Sequence, residues 1–163
     1  MDTGTLLTSA EKLLAPWTAQ AGRPEDNRLD VYIAPQDLKP AVQALLEAHW
    51  GYLAAINGLD MPAPAAEEGA EPQEGRVEML YHFCEGAAVV TLRLALPYSQ
   101  AVLDSICDLI PSATLYEREM IEMLGVQLTG TPSQEHLLLP DDWPADVYPL
   151  RKSFTGLSGK TEK

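Results

Sequence analysis

Basic residues are scarce in this chain of 163 residues. Eleven Lys and Arg stand against 24 Asp and Glu, which gives a formal net charge of −13. Neutralising nucleic-acid phosphates or anionic lipid headgroups requires clustered basic side chains. The composition therefore argues against nucleic acid as a partner and against direct binding to a membrane surface, and it favours partners that present basic surfaces.

Long apolar runs are missing as well. No stretch of the chain reaches the roughly 18–20 apolar residues that a membrane-spanning helix needs. Residues 1–14 do not place a basic region before an apolar one, so we expect no secretory signal. The sequence therefore predicts neither a membrane-spanning helix nor a secretory signal.

Cysteines and cofactor-binding motifs are equally sparse. The two cysteines, Cys84 and Cys107, lie in segments that otherwise resemble core and form no C-x-x-C pair. Two isolated thiols of this kind are typical of a reducing, cytoplasmic compartment. The chain contains no G-x-S-x-G, P-loop, G-x-G-x-x-G or H-E-x-x-H motif, and no cysteine cluster for an iron–sulfur centre. We therefore expect it to bind no cofactor of its own.

Hydrophobic periodicity predicts a single α+β domain, with a small, mainly antiparallel sheet, helices packed on one face and an extended C-terminal tail. Alternation predicts strands at 29–34, 76–84 and 87–96, the last two joined as a hairpin at Glu85-Gly86, and the apolar run 50–56 is a further candidate strand. Helical spacing predicts helices at 5–14, 35–49, 98–110 and 113–124, the last ending at Gly125.

The same patterns divide the chain into three parts. Residues 1–22 form an N-terminal helical segment, and residues 23–130 form the α+β core. Within the core, residues 61–75 are rich in Glu, Pro, Ala and Gly without periodicity, which predicts an acidic, solvated loop. Residues 131–163 are predicted to form an extended tail that binds a partner.

The predicted helix 113–124 carries most of the candidate chemistry. Arg118 and Glu122 are four residues apart and can pair on one helix face. Glu119 and Glu122 are three apart, so their carboxylates, with Glu117 and the nearby His136, could bind a metal ion. The favoured interpretation is that these charges form an exposed helix face, a charged ridge, or a set of salt bridges at an interface. His82, which has apolar neighbours in a predicted strand, is expected to be a hydrogen-bonded structural histidine.

A series of motifs in the C-terminal third resembles a known family. The segments are Tyr116 to Glu119, Glu122 to Val126, Gly130 with Pro132, Leu138 to Trp143, and Tyr148 to Lys152. Their order and spacing resemble the 30 kDa subunit family of respiratory complex I. That family is the C subunit of bacterial NADH:quinone oxidoreductase and includes hydrogenase-linked relatives. The resemblance is strong over residues 112–154 and topological over 29–110, where Tyr81-His82 also fits.

The resemblance implies a structural subunit without catalysis, placed in the peripheral arm at the cytoplasmic face of the membrane. Its implied partner is the large, 49 kDa-type subunit or the homologous large subunit of a nickel–iron hydrogenase; flavin, iron–sulfur clusters or nickel–iron would then belong to partner subunits. The residues expected to bind the partner are Glu117, Arg118, Glu119, Glu122, Pro132, Pro140, Asp141, Asp142, Trp143, Pro149, Leu150, Arg151 and Lys152. Trp143 and the pair Arg151-Lys152 are expected to be exposed anchors.

The sequence departs from the family pattern at four places. Thr131 replaces a His, Glu135-His136 replaces an Arg pair, Leu115 replaces a Trp, and Ser153 replaces an Asp. These changes leave the electron donor open and do not alter the family resemblance. Three hypotheses are considered, of which the first is favoured. The first is a subunit of a complex I-type enzyme; the second is the equivalent subunit of a membrane-bound energy-converting hydrogenase or a ferredoxin-dependent relative. The third is a free-standing metal-dependent enzyme.

Overall fold

The computed structural model describes residues 2–65 and 73–157 of the chain. The helices are α1 (Thr3–Leu14), α2 (Leu38–Glu47) and α3 (Ala113–Leu124). The strands are β1 (Gln20–Gly22), β2 (Arg28–Tyr32), β3 (Tyr52–Met61), β4 (Arg76–Glu85), β5 (Ala88–Pro97), β6 (Val102–Asp104) and β7 (Gln127–Thr129).

Five strands form the main sheet in the order β1-β2-β5-β4-β3. Every pairing in it is antiparallel except that between β2 and β5, which is parallel. The prediction of a small, mainly antiparallel sheet is therefore confirmed. A separate pair of short parallel strands, β6 and β7, was not expected from the sequence.

The hairpin of β4 and β5 forms the centre of the sheet. The two strands pair without interruption from Arg76 opposite Pro97 to Glu85 opposite Ala88. Gly86 adopts φ +57° in the connecting turn, a conformation that glycine reaches without steric cost. Alternate residues of β4 point into the core, where Tyr81 and Phe83 are fully buried. The predicted alternation and hairpin are both confirmed.

The helices cover one face of this sheet. The apolar side of α1 packs against β2, β5 and α2. Helix α3 packs against β3, where Gly58 lets it approach closely: a Cβ on Gly58 would lie 2.2 Å from a methyl carbon of Leu124. Gly58 stands opposite the buried Met79, so α3 lies on the same face as the core residues of β4. The hydroxyl of Tyr116 donates to the carbonyl of Ala54 at 2.9 Å and fixes α3 to β3.

The predicted helix at 98–110 is wrong. The structure has a short 3-10 turn at Tyr98–Gln100, then β6, then turns that lead into α3. The N–H of Ile106 donates at 2.9 Å to the carboxylate of Glu117 instead of continuing a helix. A tertiary contact from α3 therefore overrides the helical spacing of the apolar residues in this segment.

Beyond β7, the described residues 131–157 form no helix or strand, which agrees with the predicted extended tail. We call these residues the C-terminal segment. The predicted acidic loop is only partly covered: Met61 is the last residue of β3, and residues 66–72 lie outside the described residues. In the described part of the chain, no helix is both long and apolar enough to cross a membrane.

Candidate functional site: α3 and the C-terminal segment

Glu117 does not belong to an exposed ridge. Its side chain is fully buried, and its carboxylate accepts hydrogen bonds from the Ser105 hydroxyl at 2.7 Å and the Ile106 N–H at 2.9 Å. The Cys107 thiol donates to the same carboxylate at 3.2 Å. Burial, together with this carboxylate, raises the pKa of the Cys107 thiol. Glu117 therefore fixes the turn between β6 and α3 from the inside.

Glu122 is buried too, and it anchors the C-terminal segment. One of its oxygens accepts from the N–H of Leu138 at 2.9 Å, and the other accepts from Leu137 at 2.9 Å and Leu139 at 3.3 Å. His136 Nδ1 lies 3.2 Å from the carboxylate. Burial alone would raise the pKa of Glu122, but these donors outweigh it and hold the pKa below its ordinary value.

Arg118 supports the same segment from a neighbouring position on α3. Its guanidinium donates from Nε to the carbonyl of Glu135 at 2.8 Å and from Nη2 to the carbonyl of His136 at 2.6 Å. The predicted pairing of Arg118 with Glu122 is therefore wrong, since each side chain binds the backbone of the C-terminal segment instead. Glu119, on the same helix, is half-buried.

A second anchor holds the end of the C-terminal segment. Asp60 in β3 is buried and accepts from Arg151 Nη1 at 3.1 Å, from the Lys152 N–H at 2.8 Å and from the Tyr98 hydroxyl at 2.5 Å. Arg151 also donates to the Leu124 carbonyl at 2.6 Å, and its guanidinium lies 4.4 Å from the centre of the Tyr98 ring. Burial would raise the pKa of Asp60, but the donors lower it overall.

Two of the side chains expected to be exposed anchors, Arg151 and Trp143, instead form contacts within the chain. The Arg151 side chain is only 15% exposed because Asp60 and the Tyr98 ring surround it. Trp143 is half-buried, and its indole N–H donates to the carbonyl of Val147 at 2.7 Å. The expectation that these two side chains are exposed is wrong. The polar group of each donates hydrogen bonds to acceptors of this chain: Trp143 to a backbone carbonyl, and Arg151 to a carbonyl and to Asp60.

The remaining predicted residues have more accessible positions. Pro149 is half-buried, and the exposed ones are Pro132, Pro140, Asp141, Asp142, Leu150 and Lys152. Large apolar side chains that the prediction did not single out also face solvent here: Leu138 is 62% exposed and Leu115 is 52% exposed. The binding of a partner by these residues stays a prediction.

Of the proposed metal ligands, the structure brings Glu122 and His136 together, at 3.2 Å, but Glu117 lies elsewhere. Glu117 reaches the turn at residues 105–107, whereas Glu122 reaches residues 136–139. Among residues 2–65 and 73–157, no group of three or more His, Cys, Asp or Glu side chains is placed to hold a metal ion. The two buried carboxylates are acceptors for this chain's own donors, so the free-standing metal enzyme lacks geometric support.

His82 lies on the sheet face opposite the helices. Its Nδ1 is 3.0 Å from the hydroxyl of Thr91 on the neighbouring strand, in agreement with the prediction of a hydrogen-bonded structural histidine. Burial lowers its pKa, aided by the nearby Arg28. Cys84 and Cys107 are both free thiols.

Asp60 and Tyr98 are not among the site residues predicted from the sequence. A weak signal for Asp60 exists: it continues the series of Ile56 and Gly58 along the core face of β3, where an acidic residue must find donors. Tyr98 lay inside the segment that was wrongly predicted to be helical, so its position beside Asp60 could not be inferred.

Comparison with known proteins identifies a family and several relatives. The family model described as respiratory-chain NADH dehydrogenase, 30 kDa subunit, matches residues 31–160. The C subunit of F(420)H(2) dehydrogenase from Methanosarcina mazei is 25% identical over 166 aligned residues, covering 100% of this chain and 98% of that protein. The C subunit of NADH-quinone oxidoreductase from Roseiflexus sp. strain RS-1 is 30% identical over 129 residues, or 76% and 68% of the two chains. The C/D subunit of NADH-quinone oxidoreductase from Methylococcus capsulatus is 38% identical over 86 residues, which are 52% of this chain but 14% of that protein.

Solved structures share the fold, and two of them illustrate the likeness. A chain of the membrane-bound sulfane sulfur reductase, an archaeal respiratory membrane complex, superimposes with a TM-score of 0.66 at 22% identity, covering 92% of this chain and 85% of that chain. The trypsin-resistant fragment of Nqo5 superimposes with a TM-score of 0.60 at 20% identity, covering 79% and 96%.

Fold and site together define a class of protein. It is an α+β domain in which buried carboxylates of the core, Asp60 on β3 and Glu122 on α3, anchor the C-terminal segment. The chain belongs to the 30 kDa subunit family of respiratory-chain NADH dehydrogenase, which includes the C subunits of complex I-type enzymes and hydrogenase-related relatives. The predicted family membership is confirmed.

Proposed function

We propose that this chain is a non-catalytic structural subunit of the peripheral arm of a complex I-type NADH:quinone oxidoreductase. It docks on the large, 49 kDa-type subunit at the cytoplasmic face of the membrane. There it supports electron transfer to quinone coupled to ion translocation, and the cofactors belong to other subunits. The chain's own contribution is a rigid surface made by α3 and the C-terminal segment.

The observation that carries this proposal is an apolar surface on an anchored backbone. Leu138 is 62% exposed although its N–H is held by the buried Glu122 at 2.9 Å. Leu150 is 52% exposed beside Arg151, which is held by Asp60. A surface that is ordered before binding loses less conformational entropy on docking. Exposed leucines on such a surface are suited to being buried by a partner.

A relative supports the choice of partner. The matched part of the Methylococcus capsulatus protein is 14% of a longer chain named as a C/D subunit, so a C-type module there shares one polypeptide with a D-type one. Covalent linkage keeps two modules at a high effective concentration, which is useful when they assemble together. We take this as support for docking of the present chain on the large subunit.

A second candidate is the equivalent subunit of an energy-converting hydrogenase or of a relative that draws electrons from another donor. The alignment with the F(420)H(2) dehydrogenase protein covers the whole chain, which favours this candidate. Glu135-His136 in place of an Arg pair also alters the charge of the surface that Arg118 supports. The two candidates differ in their partner and electron donor and share the docking surface.

The test is affinity purification of the tagged full-length chain from native membranes, with identification of the recovered subunits. We expect one large subunit in equimolar amount. A flavin-containing NADH-binding subunit among the partners supports the first candidate, and C-x-x-C nickel ligands in the large subunit support the second. Recovery of the chain alone, or of one metal ion bound per chain, would contradict both.

A further inference from the structure

A cleft of about 440 Å³ opens between the end of α3, β7 and the turn at residues 143–148. Its apolar walls are formed by Ile121, Val126, Leu128, Trp143, Val147 and Tyr148. Concave sites of this size, lined by aromatic and aliphatic side chains with a few polar groups, are typical of binding sites. Glu117 and Asp60 do not line the cleft, and the anchoring of the C-terminal segment by Glu122 assigns no role to its apolar walls.

The turn that forms one wall is held in a defined shape. The indole N–H of Trp143 closes it by donating to the Val147 carbonyl at 2.7 Å. Asp146 adopts φ +60°, a left-handed conformation that Asp and Asn tolerate better than most residues. The Tyr148 hydroxyl donates to the Asp146 carboxylate at 3.3 Å. The turn therefore presents an exposed carboxylate beside two aromatic walls.

The charge of the cleft is negative. Its carboxylates are Glu122 and Asp146, its histidine is His136, and none of the described residues that line it is Lys or Arg. The oxygens of Glu122 are occupied by the N–H groups of residues 137–139. Asp146 is exposed, so its carboxylate is the one available to a cation from outside.

We propose that this cleft binds a segment of the partner subunit in which a Lys or Arg stands next to a large apolar side chain. The apolar side chain enters between the aromatic walls, and the cation pairs with Asp146 and lies against the ring of Trp143 or Tyr148. The inference rests on the proposed function, since it names the chemistry of the partner that the C-terminal segment contacts. Charge complementarity with the cleft selects a basic partner.

The first test places the photo-cross-linker p-benzoylphenylalanine at Ala145, an exposed residue that lines the cleft. The full-length chain is irradiated in the assembled native complex, and the cross-linked peptide is sequenced by mass spectrometry. We expect a partner segment with Lys or Arg within two residues of a large apolar side chain. The same cross-linker at Gln43, an exposed position of α2, is expected not to reach that segment.

The second test removes the charge and keeps the shape. Asp146→Asn preserves the left-handed turn and the contact with Tyr148, and Asp26→Asn removes an exposed carboxylate elsewhere. The measured quantity is the affinity of each full-length variant for the large subunit, at low and at high salt. We expect Asp146→Asn to weaken this affinity on the order of tenfold at low salt and less at high salt. Asp26→Asn is expected to leave it unchanged.

Three outcomes overturn the inference. They are cross-links from position 145 that stay within the chain, cross-links to a partner segment without a cation, and equal affinities of Asp146→Asn and the wild-type chain. If the wild-type chain recovers the large subunit while any of these holds, the proposed function stands and this inference fails. If the wild-type chain recovers no large subunit, both fail.

Discussion

Arg151 and Asp60 are 91 residues apart in the sequence and form an ion pair of 3.1 Å between Nη1 and Oδ1. The carboxylate also accepts the backbone N–H of Lys152, and the guanidinium also donates to the Leu124 carbonyl. This pair therefore links β3, α3 and the C-terminal segment. The last family motif, Tyr148 to Lys152, is thus fixed to the domain by this chain's own side chains.

Asp60→Asn is expected to loosen the end of the C-terminal segment. An amide keeps one acceptor oxygen, but its NH₂ group faces the Arg151 guanidinium or the Lys152 N–H, and a buried cation loses its partner. We expect a loss of about 3–5 kcal/mol in the local stability of the segment. The measurement is the rate at which trypsin cleaves after Arg151 and Lys152.

Asp26→Asn serves as the control for this measurement, because Asp26 is an exposed residue of the connector before β2. Cleavage of Asp60→Asn should be faster than cleavage of this control. Equal rates for the two variants would show that the pair does not hold the segment.

Glu122→Gln tests how the stability of the folded chain depends on pH. Because its pKa is lowered in the folded chain, Glu122 contributes stability above its ordinary pKa of 4.5. That contribution is lost as the pH falls through the folded pKa, since the unfolded chain binds the proton more readily. The wild-type free energy of unfolding should therefore decrease as the pH drops below about 4.5, and Glu122→Gln should flatten part of this dependence.

The matched control is Glu119→Gln, one turn earlier on α3, where the side chain is half-buried. Urea unfolding at a series of pH values gives the free energy of unfolding of the wild-type chain, Glu122→Gln and Glu119→Gln. If Glu119→Gln flattens the pH dependence as much as Glu122→Gln does, the buried hydrogen bonds of Glu122 are not its source.

Tyr81→Phe is expected to leave stability unchanged or to increase it. Tyr81 is fully buried, and within the described residues its hydroxyl has no hydrogen-bond partner. Burial raises the pKa of this hydroxyl, and the negative charge of Glu117 adds to the effect. An unpaired buried polar group costs about 1–3 kcal/mol, so its removal should raise the Tm or leave it unaltered. A decrease of several degrees in a thermal melt would show that the hydroxyl makes a stabilising bond.

The central hairpin was predictable because apolar residues recur at every second position of β4. Val77, Tyr81 and Phe83 alternate with polar or less buried residues, and Gly86 supplies the turn. The end of α3 was predictable as well, since Gly125 adopts φ +69° at the helix C-terminus. These are local signals, and they do not depend on which elements meet in space.

The errors arose where tertiary contacts decide the structure. The spacing of Ala101, Ile106 and Leu109 fits a helix, but Glu117 takes the N–H of Ile106 and the turn follows. Charged residues on a helix suggest an exposed face, yet Glu117 is fully buried. No pattern within α3 reveals that the donors to its carboxylate lie in the preceding turn. The environments of Arg151 and Trp143 were hidden in the same way.

The central claim is that α3 and the C-terminal segment form the docking surface for the large subunit. Its most direct test compares Leu138→Arg with Leu59→Arg, since both leucines are exposed, at 62% and 45%, and Leu59 lies on β3 outside this surface. Each tagged variant is purified from native membranes, and the large subunit recovered per chain is quantified. We predict a loss of about tenfold or more for Leu138→Arg and recovery close to wild type for Leu59→Arg. Full recovery with Leu138→Arg would contradict the proposed docking surface.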